Sequence, residues 1–343
     1  MPDLPRPDLD HVLEHGGDAW TALQGGHVLI TGAAGFVGSW LLESLLHARR
    51  ARGLDVGVTA LVRDTAAFRV RHPALAAAPG VRALGADVRT APLDDVPFTH
   101  VVHCASAASP RENADDPGAV VDLIERGTTH VLEAAESREG VRFLQMSSGS
   151  VYGPQPPALD RIPESWTGAA DAREPGQRFG AAKLAAERRG NAAVARGVGF
   201  VAARAFAVVG PRLPMGGTFA VGNFLADTLA GRPVEVRGDG TPVRTWMHAA
   251  DLAAWCWTIL ARGTPGRAYN VGSNEAMTVG DAAGRVAALA DPPVSVTRRA
   301  QPDPSAAPDR FVPDVTRART ELGLEVRIGF DDALRRTWEW LRS

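Results

Sequence analysis

The stretch HVLITGAAGFVGSWLLESLL, residues 27–46, decides how this chain folds. Five residues of strand character run straight into glycines at positions 32, 35 and 38, and a helical pattern begins inside the glycine motif. Glycines at that spacing permit a tight turn and let backbone N–H groups approach a diphosphate at a helix N-terminus. The spacing is GxxGxxG rather than GxGxxG. Its place, after a strand and opening a helix, is what gives it weight.

Working outward, short apolar runs alternate with helix-length segments: DVGVTALV (55–62), VRALGAD (81–87), HVVHCA (100–105) and VRFLQMSS (141–148). Strands separated by helices predict an α/β fold, a Rossmann-type doubly wound parallel sheet covered on both faces. Residues 27–210 are read as this dinucleotide-binding domain, with a later segment, about 245–275, returning to it. After Arg204 the pattern breaks into Gly- and Pro-rich loops, GPRLPMGG (210–217) and RGDGTPVRT (237–245), so residues 211–343 are read mainly as a smaller substrate lobe. Another Pro-rich loop, QPDPSAAPDR (301–310), and an amphipathic helix, FDDALRRTWEWLR (330–342), close the chain. Residues 1–26 form a helical extension, with Leu9, Val12, Leu13, Trp20 and Leu23 at near-helical spacing and Asp8 or Asp10 as its cap.

The chain has 343 residues, 45% of them hydrophobic, enough for a large core. A net charge of −2 gives no basic footprint for nucleic acid and no polybasic patch for a lipid surface. Two distant cysteines, Cys104 and Cys256, argue against a disulfide framework and for a reducing compartment. No metal is expected: the nine histidines include His11 and His15 four apart in HVLEH, but no further ligand pattern accompanies that pair. The first residues lack the basic start and apolar run of a signal peptide, and no stretch reaches a membrane span, so a cytoplasmic protein is expected.

The ordered motifs TGAAGFVG (31–38), GADVR (85–89), HCASAAS (103–109), MSSGSVYG (146–153), FGAAK (179–183), RAFAVVGP (204–211) and RGDGTPVRTWMHAADLA (237–253) resemble the extended short-chain dehydrogenase/reductase family, in particular its nucleotide-sugar epimerases and dehydratases. The resemblance spans roughly residues 27–340. It implies that Gly32, Gly35, Phe36 and Gly38 hold an NAD or NADP pyrophosphate, that Asp87 and Val88 border the adenine, and that HCASA, with Ala105, lines the nicotinamide side. Family members preferring NAD place an acid at the tip of the second strand; here ALVRD (60–64) puts Val62 there, followed by Arg63. A guanidinium beside an uncharged tip suits a 2′-phosphate, so NADP is the preferred reading over NAD. The other reading makes Arg63 a solvated charge and sends Asp64 to the ribose.

In the resembled family a Ser or Thr, a Tyr and a Lys share the chemistry: the Tyr exchanges a proton with a sugar hydroxyl while the Lys lowers its pKa. Ser148 and Lys183 occupy matching places, but QRFGAAKLAAE (177–187) has Phe179 where the tyrosine belongs. Tyr152 and Tyr269 are the only tyrosines; Tyr152 is read as a packing residue and Tyr269 lies in the C-terminal part, in AYNVG, so neither is a good stand-in. Other carriers of the proton are Ser148, His103, Glu174, a water beside Lys183, or the substrate. Phe179 therefore leaves three readings open: redox chemistry with a different acid/base, a non-redox epimerisation or elimination, or a catalytically silent nucleotide-sugar or dinucleotide binding protein. A sequencing error or an engineered inactivating change is a fourth.

Gly149 and Ser150 stand where 4,6-dehydratases of the family carry Asp and Glu, which turns the resemblance toward epimerase or ketoreductase-like chemistry. By the same resemblance Asn223, Arg244 and Arg310 contact the nucleoside diphosphate of the sugar; paired guanidinium forks suit a diphosphate. Family members also form homodimers, which here would pair through helices at roughly 117–137 and 178–195.

Overall fold

The computed structural model describes residues 1–106, 116–303, 305 and 307–343; the last three residues of the HCASAAS motif, 107–109, lie outside them. Seven strands form one parallel sheet: β1 (His27–Thr31), β2 (Gly57–Val62), β3 (Val81–Gly85), β4 (His100–His103), β5 (Arg142–Ser148), β6 (Gly199–Ala205) and β7 (Ala268–Val271). Their spatial order is β3-β2-β1-β4-β5-β6-β7, with every neighbouring pair parallel. The order reverses between β1 and β4. In such sheets the carboxyl ends of the two strands at the reversal open a crevice that takes a ligand.

Buried strands need apolar side chains on both faces, and the period of two sends them to different cores. In β5, Leu144 and Met146 join the larger core, while Phe143 joins the other. The larger core is covered by α2 (Phe36–Arg52) and α6 (Ala249–Arg262), which pack on each other. The opposite face carries α3 (Pro117–Glu136) and α4 (Arg178–Val194), packed side by side.

The first residues carry two helices, Arg6–His15 and Ala19–Ala22, and the capping differs from the expected one. The first helix starts behind Pro5 with no side-chain cap. A proline placed at the start already sets the helical φ and needs no N–H partner. Asp8 is instead buried against Arg336 at 2.7 Å, and Asp10 accepts from His47 at 2.7 Å. Further on, Trp20 is fully buried, its ring 5.7 Å from that of Trp257. The extension is thereby fastened to α2 and α6.

Beyond β6 the chain builds short sheets. Val243–Thr245 lies between Ala276–Thr278 and Arg310–Phe311, and Val234–Val236 pairs with Val296–Arg298. Helix α5 (Ala220–Leu229) packs against Val234–Val236, and the amphipathic terminal helix spans Phe330–Leu341.

Candidate active site

The glycine loop has the shape of a cradle. Gly32 sits at φ +65, a conformation that costs other residues steric strain. A Cβ on Gly38 would come 2.2 Å from the Gly32 carbonyl oxygen, so only glycine lets α2 start this close to β1. Gly35 caps α2 without any side-chain bond, leaving first-turn N–H groups for an anion. These features fit a dinucleotide pyrophosphate.

The loop after β4 closes the other side of the crevice. A Cβ on Gly32 would lie 2.9 Å from Cys104 and Ala105 backbone atoms, so the two loops touch. The Ala105 N–H donates to Thr31 Oγ1 at 3.1 Å, and the same hydroxyl is 2.9 Å from His103 Nδ1. His103 Nε2 lies 3.2 Å from Thr128 Oγ1. Burial, helped by the Lys183 charge, drives the His103 pKa down to about 3, so the imidazole is neutral.

Asp87 is gripped by Arg89 through bonds of 2.6 and 3.0 Å, which hold its carboxyl down at about 2. Val88 is buried beside Gly127. At the end of β2, Val62 is buried and Arg63 exposed. Asp64 is the N-cap of helix Thr65–Arg71, its Oδ1 accepting from the N–H groups of Ala66 and Ala67 at 2.8 and 3.0 Å.

Ser148 ends β5. Its Oγ accepts from the Ser150 N–H and donates to Ser150 Oγ, both at 3.1 Å. Phe179, in the first turn of α4, packs against a cluster that includes Val120 and Ile124 of α3. One turn later Lys183 is 3% exposed, and its Nζ donates to the Met146 carbonyl at 2.9 Å. Burial lowers its pKa to about 8, against the opposing pull of Cys104 and Glu187. The Cys104 thiol is pushed up to about 12 by burial.

Neither tyrosine replaces the missing phenol. Tyr152 donates to Asn270 Oδ1 at 2.7 Å and is pushed up to about 12 by burial; Tyr269 is fully buried and donates to Glu321 at 3.0 Å. Glu174 is exposed.

Sequence reasoning overlooked a clamp behind the site. Glu187 accepts from the Ser147 hydroxyl and takes Arg204 in a fork of 2.6 and 3.0 Å, while Arg204 lies 4.7 Å over the Tyr152 ring. The signal was present: Glu187 follows Lys183 at the same i, i+4 spacing by which Lys183 follows Phe179.

On the substrate side, strand pairing brings Arg244 and Arg310 onto neighbouring strands, with Arg310 beside Val243 and Phe311 beside Arg244. Arg244 pairs with Asp309 at 2.6 Å. Arg310 has a long 3.5 Å contact to the Asp160 carbonyl, and its buried Nε has no hydrogen-bond partner among the described residues. The Asn223 amide donates to the Gly217 carbonyl at 3.1 Å.

Comparison with known proteins agrees with this geometry. The epimerase model, describing the NAD dependent epimerase/dehydratase family, matches residues 28–272. A dTDP-glucose 4,6-dehydratase of Streptomyces niveus is 28% identical over 92% of this chain and 93% of its own length. UDP-glucuronic acid decarboxylase 1 of Arabidopsis thaliana is 28% identical over 90% of this chain and 68% of its own. Among solved structures, the UDP-glucose 4-epimerase of Thermus thermophilus in complex with NAD superposes with a TM-score of 0.75 at 28% identity, covering 92% of this chain and 99% of that one. With the cradle, the switch point and the match in one place, the chain belongs to the NAD dependent epimerase/dehydratase family.

Proposed function

We propose that this protein is an NAD(P)-dependent enzyme that modifies the sugar of a nucleoside-diphosphate sugar by transient oxidation at a ring carbon, as an epimerase or in ketoreductase-like fashion. One observation carries the reading. Gly32 of the cradle lies against Cys104, just past the end of β4, and Lys183 Nζ donates to the Met146 carbonyl at 2.9 Å on the adjoining β5, which supports a lysine beside the glycine loop. Gly32, Gly35, Phe36 and Gly38 would hold the pyrophosphate, Asp87 and Val88 the adenine end, and Ala105 and Lys183 the nicotinamide end. Bound there, the dinucleotide supplies a reversible hydride acceptor. Ser148 orients the sugar hydroxyl, and Arg244, Arg310 and Asn223 take the diphosphate.

Elimination of the 4,6-dehydratase kind fits poorly. A Cβ on Gly149 would meet the Phe206 ring at 2.8 Å, so an acid at that position has no room unless the ring moves. The cofactor is NADP in this reading: Val62 offers no acceptor to a ribose, Asp64 is committed to its helix cap, and Arg63 brings positive charge. The division into a 1–26 extension, a 27–210 dinucleotide domain rejoined at about 245–275, and a 211–343 lobe is part of the same proposal. Strand β7, at Ala268–Val271, supports the return to the parallel sheet. A homodimer through α3 and α4 is proposed from the family resemblance. Its test is the mass in solution. No helix among the described residues is long and apolar enough to cross a membrane, and a cytoplasmic site completes the reading.

The test is to denature purified protein, identify the released nucleotides by mass spectrometry, and then screen the intact protein with nucleoside-diphosphate sugars. Stoichiometric NADP or NAD, and a sugar whose configuration or oxidation state changes, are expected. If no dinucleotide is released and none binds on titration, the redox reading fails. Solvent deuterium entering the sugar with no dinucleotide bound would favour non-redox epimerisation.

A further inference from the structure

Lys183 is the only lysine in the chain; every other residue among the 37 Lys and Arg is arginine. Arginine stays protonated at all ordinary pH, whereas a buried lysine can give up its proton. A chain that uses arginine for every other cationic role therefore keeps a lysine at one enclosed position where a proton can be exchanged.

The surroundings of Nζ fit that use. A tyrosine at position 179 would offer a phenolate to balance an ammonium, but Phe179 offers only a ring face 5.8 Å away. The carboxylate of Glu187, on the same helix, is spent on Arg204 and the Ser147 hydroxyl. From β4 and the residue after it come His103, with both nitrogens engaged by Thr31 and Thr128, and the protonated Cys104 thiol. From β5 come the Met146 carbonyl, which takes one Nζ proton, and Ser148, bonded to Ser150. Among the described residues no anion contacts Nζ; an enclosed cation so placed is costly, and desolvation favours the neutral amine. The lowering of Lys183 to about 8 is the expected direction.

We propose that Lys183 itself carries the proton of this reaction, accepting it from the sugar hydroxyl as a neutral amine and returning it as an ammonium. The inference rests on the redox reading above. In the oxidation the carbinol C–H electron pair leaves as the hydride, the O–H bond breaks, C=O forms, and the hydroxyl proton ends on the Nζ lone pair. Re-reduction reverses each change. The amine then does the work of the absent phenol, directly or across one water.

A single lysine makes the test direct, because protein labelled with 13C at lysine Cε gives one lysine Cε resonance, that of Lys183. Its chemical shift should titrate near 8 in the wild type; a midpoint at the ordinary 10.5 overturns the proposal. Single-turnover reduction of bound dinucleotide by an accepted nucleoside-diphosphate sugar should rise about tenfold per pH unit up to that midpoint and then level off. Lys183→Arg keeps the charge and should lose on the order of hundredfold or more in that rate while still binding both ligands. Phe179→Tyr should move the limb to lower pH. Reduction that is flat with pH, or Lys183→Arg within tenfold of wild type, overturns the role of Lys183 with the redox reading intact. Wild type that no nucleoside-diphosphate sugar reduces at any pH, whatever the resonance does, overturns the redox reading and this step with it.

Discussion

Lys183 Nζ stands 5.8 Å from the centre of the Phe179 ring, one helical turn away. Where the resemblance calls for a phenol, the amine faces an aromatic surface, and among the described residues it donates to the carbonyl of Met146. That pairing keeps the lysine enclosed and removes the partner that would hold it charged. In the proposed mechanism, phenylalanine at the place where the resemblance calls for tyrosine becomes a change in which group moves the proton.

The tip of β2 predicts cofactor choice. Arg63→Ala should weaken NADP binding by about tenfold or more, ~1.4 kcal/mol, and leave NAD nearly unchanged. Val62→Asp should move the preference toward NAD. Equal losses for both dinucleotides in Arg63→Ala would contradict the 2′-phosphate reading. Calorimetric titration of the stripped protein checks this.

The Glu187 clamp predicts stability. Glu187 is 2% exposed and holds Arg204 in a two-bond fork; removing one partner leaves the other charge buried and alone. Glu187→Ala should therefore cost about 3–5 kcal/mol in urea unfolding, and the double variant Glu187→Leu with Arg204→Met should recover most of it. A loss under about 1 kcal/mol would show that the pair does not tie α4 to β5 and β6.

Buried histidines predict the acid limb of stability. Burial lowers His72, His100 and His248 to about 4 and His103 to about 3. Their neutral forms are the folded forms, so between those values and 6.5 the unfolded chain binds more protons. Stability is full above 6.5 and falls as pH drops through the window toward 4. For fully enclosed His103 and His248 the loss by pH 5 is roughly 2 kcal/mol each. A urea midpoint that stays constant from pH 7 to pH 5 would contradict this.

Much of the sheet was legible because β1 through β5 are short apolar runs bounded by turn residues, and the glycine spacing named the crevice before any contact was known. What could not be read was non-local. Asp8 looked like a helix cap because capping is judged from neighbours, but its partner Arg336 lies at the other end of the chain. The register setting Arg310 beside Val243 depends on folding of the lobe, which one chain's periodicity does not report. Lys183 was legible by motif; that it is the chain's only lysine is a fact of composition that no local motif reports.

The most direct measurement is single-turnover absorbance of reduced nicotinamide after mixing dinucleotide-loaded protein with nucleoside-diphosphate sugars, followed from pH 6 to pH 9. The account predicts transient reduction whose rate climbs to a plateau near the Lys183 midpoint of about 8. No reduction at any pH, with sugar and dinucleotide both bound, would contradict it.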